Sequence, residues 1–337
     1  MMKAIQVVGV DDGLRLEQVS LAPPADLGVV IAVEAAGVAQ PDVLQISGAY
    51  QVKRELPFVP GTEAVGVVYS AAAGAERLLG RRVVAITPQG SWQEVVSVSP
   101  EAAFIVPDGV SAAQATLLLV NHVAAYFALV TRGRAHRGET LLVHGAAGGI
   151  GGAAVQIGNA LGLRTIAVTS TPDKAAYARS LGASDVIASD GWKQSVEALV
   201  GPAGVDLVFD PVAGDRFEDG LRVLRPGGRF LIIGFLGGPI PEVKVNKLLL
   251  RNISLVGVAT GAYMHHDPAE MHRAWAAITA LIDRGTLRLA EATTFPLAEA
   301  ARAVALVRDR RAVGKVCLEP SAAGGTTRQP GGTADHQ

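Results

Sequence analysis

The chain has 337 residues, of which 49% are hydrophobic, and its formal net charge at pH 7 is -1. This length and composition suffice for two packed domains, whereas the small net charge gives no field that would attract nucleic acid or an anionic membrane. A single cysteine, Cys317, excludes an internal disulfide and a multi-cysteine metal site. We therefore expect a globular protein that binds neither nucleic acid nor a membrane.

Neither a targeting segment nor a membrane span is evident. The N-terminal stretch "MMKAIQVVGVDDG" predicts a short strand that closes on an acidic turn, without the apolar region and cleavage site of a signal peptide. The longest nearly apolar run, Leu117–Val130, is interrupted by Asn121 and His122 and is shorter than the roughly 20 residues that cross a bilayer. We expect a cytoplasmic protein. The final segment, 321–337, has little to bury and is expected to be a disordered tail.

Up to about residue 110 the chain contains short β-branched runs separated by Gly and Pro. The runs are "AIQVVGV", "GVVIAVEAAGVA", "EAVGVVYSAA", "RRVVAIT", "WQEVVSVS" and "AAFIVP". Strands at this spacing are typical of an all-β barrel or a sandwich-like unit.

From Thr140 onward, predicted strands alternate with predicted helices. The strands are continuous Val/Ile/Leu runs such as "TLLVHG" and "VDLVFD", which is typical of a parallel sheet covered on both faces. After Val258 come two long helices and two short strands, which we expect to return to the first domain. The predicted fold is therefore α/β: a doubly wound parallel-sheet domain, 121–258, is inserted in a β-rich domain, 1–120 and 259–320. The cleft between them is the expected ligand site.

A glycine cluster follows the first strand of the predicted parallel sheet. Its six residues form a variant of the G-x-G-x-x-G pattern with alanine first: Ala146, Ala147, Gly148, Gly149, Ile150 and Gly151. A dinucleotide site needs a tight turn, a backbone that can touch the pyrophosphate, and helix N-terminal amides that point at it. A turn with close helix-to-strand packing is the alternative, but the strand before and the helix after the cluster favour a dinucleotide.

The end of the next strand indicates which dinucleotide is bound. An NAD site usually has Asp or Glu here, whereas this chain has hydroxyl groups and a nearby cation: Thr169, Ser170, Thr171 and Lys174. Neutral donors with a cation suit a 2'-phosphate, so NADPH is favoured over NADH. The alternative is that Ser170 and Thr171 only cap a helix that starts at Pro172.

Through these residues the chain resembles the medium-chain dehydrogenase/reductase superfamily, in its zinc-independent quinone oxidoreductase (zeta-crystallin-like) branch. The resemblance covers residues 1 to about 320. It is carried by "GVAQPDVLQISGAYQVKRELPFVPGTEAVGVV", "GETLLVHGAAGGIGGAAVQIGNALG", "SLGASDVI", "VFDPVAGDRFEDGLRVLRPGGRFLIIGF" and "GKVCLEP". It implies a GroES-like β-rich domain with a Rossmann domain, NADPH as hydride donor, and commonly a homodimer.

The resemblance also implies that no metal is bound. Zinc-bearing relatives place Cys shortly before an Asp and His directly before a Glu, whereas this chain has Ala39 and Gln40 before Asp42, and Thr62 before Glu63. Zinc sites need thiolate or imidazole ligands. Without a Lewis acid, oxidation of alcohols is disfavoured, and quinones or α,β-unsaturated carbonyls are the expected hydride acceptors.

Similarity to the family places "VAQPDVLQISGAY" beside the nicotinamide, which makes Gln40, Asp42 and Tyr50 the candidate catalytic residues. Tyr50 has a phenolic proton to donate to a carbonyl oxygen, although simple packing is an equal alternative. Many relatives have Asn at the position of Ala39 and Thr at that of Ala124. Asn121 is a candidate cofactor ligand that compensates for them, and neighbouring His122 is either a proton donor or a helix histidine bonded to backbone.

Further cofactor contacts are implied near the ends of later strands. Lys315 corresponds to a common cofactor-side cation in the family, with an edge-strand charge as the alternative. The backbone of Gly234, Phe235 and Leu236 follows the fifth strand of the sheet, where ligands of parallel sheets bind. A tyrosine common in relatives is Ser189 here, which makes affinity for NADPH depend more on Lys174.

Two alternatives to a quinone or enone reductase stay open. An enoyl-thioester reductase of the same superfamily would use a basic groove for phosphates, and "KVNKLLLR" offers Lys244, Lys247 and Arg251, which are otherwise ordinary solvated charges. A non-catalytic NADPH-binding protein is suggested by the loss of the family's Asn and Thr.

Overall fold

A computed structural model describes residues 2–9, 13–19, 28–87 and 90–320. The predicted tail, 321–337, lies outside the described residues. The described strands form a two-stranded hairpin, a seven-stranded mixed sheet and a six-stranded parallel sheet. The predicted α/β class, with a GroES-like part and a Rossmann part, is confirmed by this arrangement.

The β-rich part of the molecule is built on the seven-stranded sheet. Its strands follow the order β14-β15-β3-β4-β5-β7, and β6 also pairs with β3. The short apolar runs of the sequence form these strands because most of their Val, Ile and Ala side chains enter one hydrophobic core, while Ala35, Val65 and Val84 enter the core shared with the parallel sheet. The bounds are β3 Val29–Val38, β4 Glu63–Ala71, β5 Arg82–Ile86, β6 Val95–Val98, β7 Ala103–Ile105, β14 Thr293–Pro296 and β15 Val316–Glu319.

The hairpin was only half predicted. The N-terminal run forms β1, Met2–Gly9, as expected, but it pairs antiparallel with β2, Gly13–Val19, which was not predicted. The run "GLRLEQV" mixes charged with apolar residues and has little β-branching, so its own composition gives a weak strand signal. The pairing with β1 forms the strand.

The six-stranded sheet has the order β10-β9-β8-β11-β12-β13, and every pairing in it is parallel. This order reverses between β8 and β11, which creates a crevice at the carboxyl ends of those strands. The bounds are β8 Thr140–Val143, β9 Arg164–Thr169, β10 Asp185–Ala188, β11 Val205–Asp210, β12 Leu224–Ile232 and β13 Ser254–Gly257. All six strands were predicted.

Helices cover the parallel sheet and join it to the β-rich part. Their bounds are α1 Gln40–Ile46, α2 Ala112–Ala115, α3 Ala124–Tyr126, α4 Gly149–Ala160, α5 Pro172–Ser180, α6 Trp192–Val200, α7 Phe217–Arg222, α8 Val245–Arg251, α9 Thr260–His266, α10 Ala269–Asp283 and α11 Ala300–Arg308. Side chains from α4, from the first turns after α2 and from α10 share the largest hydrophobic core with the parallel sheet.

One long helical stretch includes the apolar run Leu117–Val130 and extends beyond it at both ends. α2, α3 and the π-helical turns Leu118–Val123 and Phe127–Arg132 form a continuous helix over Ala112–Arg132, 21 residues, which by length and composition is sufficient to cross a membrane. In an 18-residue window of this stretch, 72% of the residues are buried inside the protein, and its apolar side chains join the core of the parallel sheet.

Candidate active site

The glycine loop joins β8 to α4 at the crevice of the parallel sheet. A Cβ atom at Gly151 would lie 2.2 Å from the carbonyl oxygen of Gly145, so only glycine permits the first turn of α4 to pack this closely on the loop. The N-cap, Gly148, has no side chain to bond the first amides of the helix. The amides of Gly149, Ile150 and Gly151 therefore lack both intrahelical and side-chain partners, as an anion-binding helix N-terminus requires.

A second segment lies against the glycine loop. Gly314, two residues before β15, forms a parallel bridge with Gly148, and its amide donates a 2.8 Å hydrogen bond to the carbonyl of Ala147. The C-terminal return of the chain therefore forms one side of the crevice. No local motif in the sequence indicated this contact.

Asn121 is the polar side chain nearest to the start of α4. A Cβ atom at Gly149 would lie 3.1 Å from the Asn121 amide nitrogen. The Asn121 side chain is buried, and its Oδ1 has no hydrogen-bond partner among the described residues. A buried carbonyl without a partner is costly, so this amide suits a polar ligand in the crevice.

The residues predicted to hold a 2'-phosphate cluster beyond the end of β9. Thr169 is buried, whereas Ser170 and Thr171 are exposed. Thr171 is the N-cap of α5 and accepts a 3.3 Å bond from the Lys174 amide, so the capping role is real. The Lys174 ammonium lies 3.4 Å from the Ser170 hydroxyl, so the two donors are close enough to bind the same anion.

Arg310 is a cation at this place that the sequence did not reveal. Its carbonyl accepts a 2.7 Å bond from Lys174 Nζ, and its guanidinium donates to the carbonyl of Leu236. It lies just after α11 with φ +56°, far along the chain from the other groups. Neither cation forms an ion pair with a carboxylate in the described part of the chain. Two adjacent cations without a carboxylate are suited to a phosphate.

The segment after β12 forms a wall opposite the glycine loop. The Leu236 amide donates to the Pro211 carbonyl at 3.1 Å, and the Gly237 amide donates to the Val212 carbonyl at 2.6 Å. Phe235 is 41% exposed, so core packing does not explain its presence. The backbone of Gly234, Phe235 and Leu236 lies at the carboxyl edge of the sheet, as predicted.

Asp210 fixes the loop that supports this wall. Its Oδ1 accepts bonds from the amides of Val212 and Ala213 at 2.7 and 2.9 Å. His144, at the end of the neighbouring strand, is fully buried edge-on against Trp192, with ring centroids 4.6 Å apart. Burial lowers the pKa of His144 to about 4, so its ring is neutral near pH 7.

Asp42 and Thr62 are hydrogen-bonded at the junction of the two parts of the molecule. The Thr62 hydroxyl donates to Asp42 Oδ1 at 2.7 Å, and the Ala39 amide donates to Asp42 Oδ2 at 2.7 Å. Asp42 is 1% exposed, and burial raises its pKa to about 6. Ala39 and Thr62, which stand where zinc-bearing relatives have metal ligands, are thus both hydrogen-bonded to Asp42.

Glu63 and Lys315 form a buried ion pair beside this network. Glu63 Oε2 lies 3.1 Å from Lys315 Nζ, and these side chains are 1% and 2% exposed. Glu63 Oε1 accepts the amides of Leu119 and Val120, at 2.9 and 3.1 Å. Lys315 directly follows Gly314, and β15 lies between β14 and β3, so its charge is not on an edge strand. The pair connects the β-rich sheet, the helical stretch Ala112–Arg132 and the Gly314 segment beside the glycine loop.

The other predicted catalytic residues do not join this network. Gln40 is the first residue of α1 and is partly exposed. Tyr50 lines a cavity of about 250 Å³ whose walls come only from residues between Val7 and Phe58, so the cavity does not include Asp42 or the glycine loop. Tyr50 therefore lines a cavity to which Asp42 does not contribute.

The structure favours one of the two roles considered for His122. The ring is fully buried, with Nδ1 2.9 Å from the Leu117 carbonyl and Nε2 3.0 Å from Gln156 Oε1. Burial also lowers its pKa. Both ring nitrogens are therefore engaged inside the protein, as in the backbone-bonded alternative. Throughout the described ranges, no group of three His, Cys, Asp or Glu side chains is arranged to hold a metal ion.

Comparisons with known proteins agree with this fold. The chain matches the alcohol dehydrogenase GroES-like domain over residues 25–108 and the zinc-binding dehydrogenase domain over residues 149–280. Quinone oxidoreductase-like protein 2 of Rattus norvegicus is 34% identical over 309 residues, which cover 90% of this chain and 88% of the relative.

Two solved structures are similar over nearly the whole chain. A probable oxidoreductase from Mycobacterium abscessus is 37% identical, with a TM-score of 0.87 over 95% of this chain and 99% of that one. The quinone oxidoreductase from Thermus thermophilus, which has also been solved in complex with NADPH, is 34% identical, with a TM-score of 0.82 over 94% of this chain and 100% of that one.

The fold and the site define an oxidoreductase of the medium-chain dehydrogenase/reductase superfamily. Within it, the chain belongs to the quinone oxidoreductase family. The resemblance carried by the glycine loop and its companion segments is therefore confirmed.

Proposed function

We propose that this protein is an NADPH-dependent reductase that transfers hydride to a quinone or an α,β-unsaturated carbonyl without zinc. The observation that carries the proposal is the crevice at Gly148, where uncapped helix amides lie beside the unpartnered Asn121 carbonyl, together with the two cations beyond the end of β9 that pair with no carboxylate among the described residues. The relative from Thermus thermophilus, solved with NADPH, supports the choice of dinucleotide.

The residues present fit the dinucleotide. The amides of Gly149 to Gly151 would hold the diphosphate, and Ser170, Lys174 and Arg310 would hold the 2'-phosphate. Asn121 and the backbone of 234–236 would orient the nicotinamide end. The reduced nicotinamide would supply hydride, while the protein would supply orientation and a site from which water is excluded.

The side chains at the family's zinc positions favour chemistry without a metal. Ala39 has no ligand atom, and the Thr62 hydroxyl and Asp42 carboxyl are hydrogen-bonded to each other. A hydroxyl is a poor substitute for the imidazole or thiolate that zinc prefers. An acceptor whose carbonyl is conjugated needs only a hydrogen-bond donor at its oxygen as negative charge develops.

The function is tested by steady-state oxidation of NADPH with three acceptors: 9,10-phenanthrenequinone, 2-hexenal and crotonyl-CoA. Turnover with the quinone or the alkenal is expected. Turnover with crotonyl-CoA alone would favour an enoyl-thioester reductase, and tight NADPH binding without any turnover would favour a non-catalytic protein. The charges considered for a thioester's phosphates are partly occupied, since Lys247 pairs with Glu218 at 2.6 Å and Arg251 donates to the Arg222 carbonyl.

Replacing Lys174 with alanine is expected to weaken NADPH binding by on the order of 1–3 kcal/mol, because a charge-assisted bond to the 2'-phosphate is lost. Binding of NADH, which lacks that phosphate, should be nearly unchanged. Titration calorimetry with both dinucleotides measures the difference, and Lys247→Ala, at a cation paired with Glu218, serves as the control. Equal losses for NADPH and NADH would refute the phosphate assignment.

The proposal includes a homodimer formed at the free edge of the parallel sheet. β13 is the edge strand, and the adjacent α8 segment exposes Ile240, Val245, Leu249 and Leu250, each at least 71%. Exposed strand edges and apolar patches are typical of interfaces between subunits. Light scattering is expected to give a dimer mass, and Leu249→Asp to give a monomer. A monomeric wild type would contradict the proposal.

A further inference from the structure

The Thr62 hydroxyl has one proton and two possible acceptors for it. In the structure the proton is directed to Asp42 Oδ1, at an oxygen-to-oxygen distance of 2.7 Å. Thr62 is partly exposed, whereas its neighbours Gly61 and Glu63 are buried. While the proton bonds Asp42, it is not available to a ligand oxygen.

Asp42 belongs to a buried cluster whose charges do not balance. Asp42 and Glu63 are two carboxyl groups, and Lys315 is the one ammonium beside them; each of the three is at most 2% exposed. With both carboxyl groups ionised the cluster carries a net negative charge, which is unfavourable away from water. A single proton on one carboxyl group balances it.

The hydrogen bonds indicate which carboxyl group takes that proton. Burial raises the pKa of Glu63 too, but Glu63 accepts two backbone amides and the Lys315 ammonium, all of which stabilise its ionised form. Asp42 accepts only one amide, from Ala39, and the Thr62 hydroxyl. Burial raises the pKa of Asp42 to about 6; Thr62, Ala39 and Lys315 oppose the rise, and Glu63 adds to it.

We propose that Thr62 is a catalytic residue whose hydroxyl donates to the carbonyl oxygen of the hydride acceptor, and that protonated Asp42 makes this possible by donating its own proton to the Thr62 oxygen. Asp42 is then a positioning residue. When Asp42 is ionised, it captures the Thr62 proton and the acceptor oxygen has no donor. This assignment rests on the proposed reductase function.

The location of Thr62 fits this role. Through Glu63 it adjoins Lys315, which follows the Gly314 segment bonded to the glycine loop. Through Glu63 it also adjoins Leu119 and Val120, which directly precede Asn121 in the helix. Thr62 is therefore placed between the dinucleotide crevice and the β-rich part, where an acceptor would lie.

The proposal predicts opposite effects for two substitutions. Asp42→Asn keeps an oxygen for the Ala39 amide and presents a permanent NH₂ donor to Thr62, so it mimics the protonated acid at every pH. In the wild type, kcat/KM is expected to fall as pH rises above about 6. Asp42→Asn should abolish this fall and exceed the wild type at pH 8 by roughly 100-fold, the lower end of the range for one donor at a developing oxyanion.

Thr62→Val removes the hydroxyl and should hold kcat/KM at the high-pH level of the wild type at all pH values. Thr62→Ser, which keeps a hydroxyl, should restore the pH dependence. The dissociation constant for NADPH, measured by fluorescence, should be the same in all variants. Infrared spectroscopy of the NADPH-bound protein should show a protonated-carboxyl band that disappears as pH rises through about 6 and is absent from Asp42→Asn.

The outcomes separate this inference from the function on which it rests. Absence of turnover by the wild type with every acceptor would refute the reductase and, with it, the role of Thr62. Turnover whose pH dependence is unchanged in Asp42→Asn or Thr62→Val would refute the role of Thr62 alone. A carboxyl band that persists in Asp42→Asn would assign the buried proton to Glu63 and overturn the role of Asp42.

Discussion

Replacing Gly148 with valine is expected to abolish binding of both NADPH and NADH, by at least about 100-fold in dissociation constant, while the protein stays folded. A Cβ atom at Gly148 would have only the Gly145 carbonyl within 4 Å, at 3.4 Å, so the protein has room for the substitution. The branched methyl groups would instead occupy the space in which the diphosphate meets the helix amides. Titration calorimetry measures the loss, and circular dichroism checks the fold.

A matched substitution distinguishes a blocked site from a general effect of valine at the start of a helix. Gly261 lies in α9 without a positive φ, and a Cβ atom added there would have no neighbouring atom within 4 Å. Gly261→Val should bind both dinucleotides as the wild type does. Retained affinity in Gly148→Val would contradict the assignment of the glycine loop to the diphosphate.

Replacing Lys315 with methionine is expected to lower the free energy of unfolding by about 3–5 kcal/mol, because it leaves the Glu63 carboxylate buried without its counter-charge. The ion pair is 3.1 Å long and is almost completely buried. Combining Lys315→Met with Glu63→Gln should recover most of the loss, since a neutral amide no longer requires a cation. Urea denaturation of the three variants measures these differences.

An exposed ion pair provides the comparison. Lys193 and Glu197 are 2.5 Å apart on the surface of α6, with 24% and 48% of their side chains exposed. Lys193→Met should cost no more than about 0.5 kcal/mol, as for other pairs one helical turn apart. A similarly small cost for Lys315→Met would show that the buried pair does not stabilise the junction of the two sheets.

The elements that the sequence predicted best are those whose residue pattern lies within the element itself. The parallel strands are continuous apolar runs, and α4 starts within the glycine cluster, where a helix was expected. β2 was missed because its strand character comes from pairing with β1. The apolar run Leu117–Val130 is interrupted by polar Asn121 and His122, yet both are buried within the helical stretch Ala112–Arg132.

The cofactor loop could be recognised because a tight turn with close backbone approach restricts several neighbouring positions to small residues. Arg310 and Gly314 could not be recognised in this way, since they reach the site from distant parts of the chain. The Thr62 hydroxyl was seen only as a replacement for a metal ligand. Its bond to Asp42 joins residues 20 positions apart and depends on how β4 packs against the start of α1.

The order of strands and helices, the glycine loop and the replacement of zinc ligands were determined by the sequence itself, because each depends on residue types within a short stretch of chain. Tertiary structure alone decided that Asp42, Glu63 and Lys315 share one buried cluster and that Tyr50 lines a cavity to which none of them contributes. The reason is physical: the charge balance and the pKa of a buried group depend on distances between segments, which the packing of the two sheets sets.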